Sequence, residues 1–355
     1  MVAETNPKIF FSDLSISAAT AFAQLHTATL GRELARDVSH LNGSYSKKNV
    51  KGKLHWYFAY RESSHRVRQL YVGPDTTDVR SLVEKASSAN PQEQTKPLAK
   101  AAFAMGLAAV SRQHLSVISR INEYEFFRAG GVLIGTHAFL SYANMLGIRW
   151  QSTEQTVDID FAHAGKNISI ALPANIKATP HAAISTMAEG FLPMVQYRGS
   201  AGATYRHPEQ AEFQIDFLCP QTANEATPIK VDNLDVALQP LRFMEFSLEA
   251  PQQTTLLDNT GRSVVVTVPA PERYAIHKLL IIGERTGAFR AKISKDLMQS
   301  ASLISYFAER DPDAIKQAWR DAYNRGPGWV RRLTQGALAL KRIDADLGRW
   351  VAGAA

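Results

Sequence analysis

The sequence predicts an α+β fold: a mixed sheet flanked by helices, preceded by a basic helix and β-hairpin region and followed by a C-terminal helical bundle. Two observations predict it. Apolar spacing is helix-like over 12–41 and from 77 to about residue 127, mostly strand-like from 132 to 268, and helix-like again from 271. The strand segments are short and bounded by Gly, Pro, Asn and Asp, as mixed sheets with tight connections require.

The elements follow in order. Residues 12–41 read as an amphipathic helix ending at the turn signal Asn42-Gly43. Residues 44–76 change character: Leu54–Tyr60 and Arg66–Val72 have strand composition around the turn Glu62–His65, giving a hairpin or small three-stranded sheet. Residues 77–128 form a helical connector interrupted at Asn90-Pro91, with Pro97 a second candidate break and Lys100–Arg128 continuing as helix. Gly130-Gly131 opens the strand Val132–Ile134, which turns at Gly135-Thr136-His137 into a helix closed by Gly147. Strands are expected at Thr156–Phe161, Ile168–Leu172, Phe191–Val195, Glu212–Leu218, Val236–Leu238, Leu241–Phe243 and Ser263–Val268, with a short helix at His181–Glu189. Pro271 begins a helix over 271–286, and three more helices fill about 290–351. The expected units are therefore 1–43, 44–76, 77–128, a catalytic unit over 129–270 and a helical unit over 271–355.

Composition narrows the function classes. With 45% apolar and 21% charged residues in 355, the chain reads as an ordinary globular protein of more than one compact unit. No stretch reaches the roughly 20 apolar residues of a membrane helix, and the first residues have no secretory-signal pattern. The lone Cys219 excludes an intrachain disulfide and fits a reducing, cytoplasmic setting; at the end of an apolar run it reads as a buried structural thiol. A formal charge of +7 points toward a polyanionic partner. His163, His181 and His207 lack zinc-ligand spacing, and neither G-x-G-x-x-G nor G-x-x-x-x-G-K-[ST] occurs, which disfavours dinucleotide and P-loop enzymes.

Chemistry concentrates in two alternating segments. In Thr156-Val-Asp-Ile-Asp-Phe161, strand geometry sends Val157, Ile159 and Phe161 to one face and Asp158 and Asp160 to the other, about 7 Å apart at the backbone. Phe213-Gln-Ile-Asp-Phe-Leu218 repeats the grammar and sets Asp216 opposite its apolar residues. Clustered carboxylates repel unless a cation compensates. Mg²⁺ accepts one or two carboxylates with waters and substrate phosphate, and a pair of such ions serves phosphoryl displacement. An isolated D-x-D is more often the solvent face of an edge strand. Here it follows Gly135-Thr136, a strand-to-helix turn whose glycine allows close backbone approach and whose free amides suit phosphate oxygens.

These residues resemble the polymerase-β-like nucleotidyltransferases. More closely, GGVLIGTHAFLSYANMLG, TVDIDF, FQIDFL, ERYAIHKLLIIGER and KISKDLMQSASLI resemble a bacterial family of stand-alone nucleotidyltransferases, distantly related to the toxin nucleotidyltransferases of type IV toxin–antitoxin systems. The resemblance covers roughly residues 125–310, and GSYSKKNVKGKLHWYFAYRESSHRVRQLYVGP is similar to the family's usual leader. Thr136 stands where Ser or Gly is common, and about twenty residues separate it from Asp158; Thr keeps the hydroxyl and the spacing only lengthens the connection. The resemblance implies NMP transfer from an NTP such as ATP to an acceptor hydroxyl. It implies that Asp158 and Asp160 hold two Mg²⁺ or Mn²⁺ ions, that Asp216 shares one and acts as general base, and that Gly135 and Thr136 contact the β- and γ-phosphates.

Basic residues complete the expected site. Lys278 and Arg285, seven apart, share a helix face and can neutralise a triphosphate, Lys278 being the leading candidate; Lys292 and Lys295 gather with Asp296 and Gln299 on the next helix. His137 either orients a phosphate or makes a structural hydrogen bond. In 44–73, seven cations interleave with aromatics against the single acid Glu62, which suits an RNA or tRNA acceptor, a small sheet with a solvated rim, or docking on the catalytic unit or a second subunit. Transfer to a protein or small molecule, and a silent nucleic-acid-binding protein, are the alternative readings. An antitoxin partner and self-association stay open.

Overall fold

The computed structural model describes residues 9–35, 43–50, 52–61, 67–88, 91–152, 156–164, 178–187, 189–195, 201–222, 227–231, 234–283 and 290–353. The chain begins with strand β1 (Phe11–Asp13) and helix α1 (Ile16–Ala35), then an antiparallel meander of β2 (Gly43–Val50), β3 (Lys53–Arg61) and β4 (Val67–Pro74). Helices α2 (Thr77–Ser88), α3 (Pro91–Ala104) and α4 (Arg112–Glu123) lead to β5 (Gly131–Ile134), α5 (Gly135–Leu146), β6 (Ile148–Trp150) and β7 (Ile159–His163). Next come α6 (Pro180–Ser185), β8 (Leu192–Val195), β9 (Ala201–Arg206), β10 (Gln214–Pro220), β11 (Ile229–Lys230), β12 (Ala237–Leu241), α7 (Met244–Ser247), β13 (Gln252–Leu257) and β14 (Ser263–Val268). Helices α8 (Pro271–Ile282), α9 (Arg290–Arg310), α10 (Pro312–Tyr323), α11 (Pro327–Ile343) and α12 (Ala345–Ala352) close the chain.

The architecture is mixed α+β. The central sheet runs β11-β12-β10-β7-β5, with β9 on β10 and β8 on β9. β5 is antiparallel to β7, whereas β7, β10 and β12 are parallel. Alternation fixes its register: Ile215, Phe217 and Cys219 of β10 are buried while the residues between them are half-exposed. Phe161 and Phe217 stack with centroids 5.5 Å apart, and Phe126 meets both rings edge-on. This face joins α4, α5, α8 and α9 in the main core. A second core seats α1 on α3 and the β13–β14 hairpin through Phe22, Leu25, Ala102 and Leu257. No helix among the described residues is long and apolar enough to cross a membrane.

Several elements differ from the sequence expectation. Ser12 and Asp13, expected to start the first helix, instead lie in β1, which pairs with β6. Lys100–Arg128 is not one helix: Gly106 has φ +92°, its carbonyl accepts from Arg149, and Ser111 caps a new helix through the His114 amide. Pro97 lies within α3 without ending it. Val236–Leu238 and Leu241–Phe243 merge largely into β12, which ends at Leu241; Phe243, with φ +64°, stands at the amino-terminal cap of α7. β9 and β13 were not expected, and Ile168–Leu172 lies outside the described residues.

Candidate active site

The sheet brings two of the three motif acids side by side. Asp160 on β7 and Asp216 on β10 are direct partners in the parallel pair, so their side chains share a face. The opposite face is anchored by Ile159, Phe161, Ile215 and Phe217, all fully buried. Asp158 stands just before β7, not within it as the alternation predicts; it is half-buried, and the Asp216 charge still acts on it.

The Gly135 turn lies against these acids because Ile134 pairs with Asp160 across β5 and β7. Gly135 has φ +65°, and a β-carbon there would sit 2.1 Å from Asp160 Oδ2, so only glycine fits. No side chain caps the amino-terminus of α5, which leaves its first-turn amides for an anion. Tyr274 on α8 holds the turn from behind. Its hydroxyl lies 2.9 Å from the Gly135 carbonyl and 2.7 Å from the Gln299 carboxamide, whose other end is 3.4 Å from Thr136 Oγ1. The phenol has one proton to donate, so Gln299 bridges the two hydroxyls. Thr136 is itself buried.

A cavity of about 350 Å³ opens beside Gly135 and Asp160, lined also by Lys278, His277, Gln221 and Arg242. That volume suits a small ligand.

Electrostatics set the acids apart from ordinary surface carboxylates. Burial, reinforced by Asp216 and Asp158 and opposed by Lys278 and Lys292, pushes the Asp160 carboxyl up to about 6. Burial also raises Asp158 against the pull of Lys292, and raises Asp216 against the Thr204 hydroxyl. Thr204 Oγ1 donates to Asp216 Oδ1 at 2.5 Å and Gln214 Nε2 to Oδ2 at 3.3 Å, so both oxygens of Asp216 are engaged. Among the described residues no three His, Cys, Asp or Glu side chains form a ready-made metal-ligand set. The donor set still fits Mg²⁺ or Mn²⁺: Asp158 and Asp160 are hard oxygen donors with raised pKa values, and Mg²⁺ usually takes one or two carboxylates and completes its shell with water and phosphate.

The expected cations divide. Lys278 is buried, lines the cavity and donates to Asp296 Oδ1 at 2.5 Å. Lys292 is exposed at the start of α9, and its charge acts on all three acids. Lys295 acts on Asp158 and on His137. Arg285 lies outside the described residues. The His137 ring is buried, and His114 Nδ1 lies 3.0 Å from His137 Nε2. Burial, and then His114 and Lys295, holds its pKa down at about 3, which favours the neutral ring.

Tyr274, Thr204 and His114 were absent from the sequence reading of the site. Tyr274 had a usable signal, standing four residues before Lys278 and hence on the same helix face. Thr204 had none, because β9 itself was not expected.

A glycine turn at a helix amino-terminus, facing paired strand carboxylates beside a small-ligand cavity, suits a phosphate ester carried with cations. Residues 112–324 match the nucleotidyltransferase family, and the chain belongs to that family. No curated protein sequence matches the chain. The crystal structure of an antigenic nucleotidyltransferase-like protein from Paracoccidioides brasiliensis is similar over 69% of this chain and 95% of that one, at 16% identity; its TM-score of 0.36 is too low to bear on function.

Proposed function

We propose that the chain is a polymerase-β-like nucleotidyltransferase that moves a nucleoside monophosphate from an NTP to an acceptor hydroxyl. One observation carries the reading: Asp160 and Asp216 stand side by side, with the Asp160 carboxylate packed against the Gly135 turn at the edge of the cavity. The strand order supports it, since a Gly-Thr turn leads from β5, the strand that carries Asp160 is antiparallel to β5, and the strand that carries Asp216 is parallel to that one.

In this reading the triphosphate lies along Gly135-Thr136 and accepts hydrogen bonds from the first-turn amides of α5, with the nucleoside end in the cavity. Lys278 and Lys292 offset its charge. Asp158 and Asp160 would hold the divalent ions, which when bound neutralise the phosphates and acidify the attacking hydroxyl. Asp216, oriented by Thr204, takes the proton from the acceptor hydroxyl. The acceptor oxygen bonds to the α-phosphorus, the bond from that phosphorus to the bridging oxygen breaks, and pyrophosphate leaves.

The test is incubation of the purified chain with each α-labelled NTP, Mg²⁺ or Mn²⁺, and total RNA, or protein and small-molecule acceptors in parallel. Label should enter one acceptor class with stoichiometric pyrophosphate. Transfer that persists in Asp158→Ala with Asp160→Ala overturns the assigned site, and no transfer with any NTP and acceptor overturns the activity.

A further inference from the structure

The β2–β4 meander is two-sided, and its sides differ in charge chemistry. Residues paired across antiparallel strands share a face. One face holds Tyr45, Lys47, Trp56 and Phe58. Its cations meet an acid there: Asp75 accepts from Trp56 Nε1 at 2.8 Å, from Lys47 at 3.3 Å and from Arg80 of α2 at 2.8 Å, and it is held well below the usual carboxylate range, chiefly by Arg80. The other face holds Lys48, Lys53, His55, Tyr57, Gln69 and Tyr71.

On that second face no described residue is acidic. Lys48 sits 5.4 Å over the Tyr57 ring and donates to Gln69, both neutral partners, so its charge is not cancelled. Tyr57 and Tyr71 meet edge-on at 5.5 Å, and His55 joins the Tyr71 hydroxyl at 3.1 Å. Tyr71 is 57% exposed, and no large apolar side chain of the meander is among the buried core residues described. The face is thus a cationic surface with the Tyr71 ring exposed and the Tyr57 ring half-exposed beside it.

We infer that this face binds single-stranded nucleic acid, with Lys48 and Lys53 on phosphates and Tyr57 and Tyr71 against bases. Charge complementarity selects a polyanion. The rings select one whose unpaired bases can stack, which a duplex does not offer. Binding does not depend on the transfer reading, although a bound RNA end would be a natural acceptor for it.

The test is fluorescence anisotropy of the full chain with labelled single-stranded RNA, single-stranded DNA and duplex RNA of equal length, over a salt series. Wild type should bind a single strand at least tenfold more tightly than duplex; a preference between the two single strands names the polymer. Lys48→Ala with Lys53→Ala should weaken binding at least tenfold and reduce the steepness of the log K against log salt plot by about 1.4. Tyr71→Ala should weaken it about tenfold and Tyr71→Phe should not, a contrast that misfolding does not reproduce. Lys341→Ala with Arg342→Ala on α11 removes equal charge elsewhere and should leave affinity within twofold. Equal losses in the two charge pairs, equal binding of duplex, or no binding of either single strand overturns the inference, the last leaving the face to a protein partner. RNA binding without nucleotide transfer sustains it while the transfer reading fails alone.

Discussion

The Asp160 carboxylate occupies the space that a β-carbon on Gly135 would need, 2.1 Å from Oδ2. Gly135→Ala therefore acts on the acid as well as on the backbone. The left-handed conformation costs alanine about 1–2 kcal/mol, and displacing Asp160 adds to that. The expected outcome is a lower urea midpoint together with a transfer rate reduced at least a hundredfold. Loss of stability with full activity would separate the turn from the chemistry.

Asp160 also gives the fold a pH signature. Its folded pKa of about 6 lies above its ordinary 3.8, so the unfolded chain releases that proton first. Stability contributed below pH 3.8 is lost as pH rises through 6, by about 2–3 kcal/mol in the metal-free chain. Asp160→Asn should then be more stable than wild type at pH 8, nearly equal to it at pH 4, and inactive. Added Mg²⁺ should raise the melting temperature of wild type and not of the variant. A constant stability difference from pH 4 to 8 would contradict the raised pKa.

Which parts of this were legible in the sequence follows from the range of the forces involved. β7 and β10 show themselves through period-two alternation, because one face of each is buried against Phe126 and its neighbours. β13 reads Gln-Gln-Thr-Thr-Leu-Leu and is a strand through its full pairing with β14, a tertiary cause that local pattern does not carry. The break at Gly106 is set by Arg149, 43 residues away. Asp160 and Asp216 could be placed on one kind of face from alternation, yet their adjacency depends on parallel pairing of strands separated by β8 and β9. The His114–His137 contact was hidden for the same reason, since the two rings belong to different helices.

Lys278 and Asp296 form a buried pair, 11% and 7% exposed at their side chains. Removing the cation leaves a buried carboxylate facing the vacated position, a change that costs about 3–5 kcal/mol. Lys278→Met should therefore destabilise strongly, and Lys278→Met with Asp296→Asn should recover most of the loss. If Lys278 also serves the triphosphate, the double variant folds normally but binds NTP at least tenfold more weakly by equilibrium dialysis. Recovery of both folding and NTP affinity would reduce Lys278 to a structural residue.

His137 pulls stability in the opposite pH direction from Asp160. Its folded pKa of about 3 lies below the ordinary 6.5, chiefly through burial, so below pH 6.5 the unfolded chain binds a proton that the folded chain refuses. The stability this neutral imidazole contributes is present above pH 6.5 and drains away as pH falls toward 3, at a limiting slope of about 1.4 kcal/mol per pH unit. His137→Gln keeps a polar group near His114 and removes the titration. Urea unfolding from pH 7.5 to 4 should show a shallower acid loss in His137→Gln than in wild type, at a lower stability near neutrality. In the Asp160→Asn background the wild-type imidazole acts without its opposing carboxylate, so the acid loss should steepen. Parallel acid limbs in wild type and His137→Gln would mean that His137 titrates alike in the folded and unfolded chains.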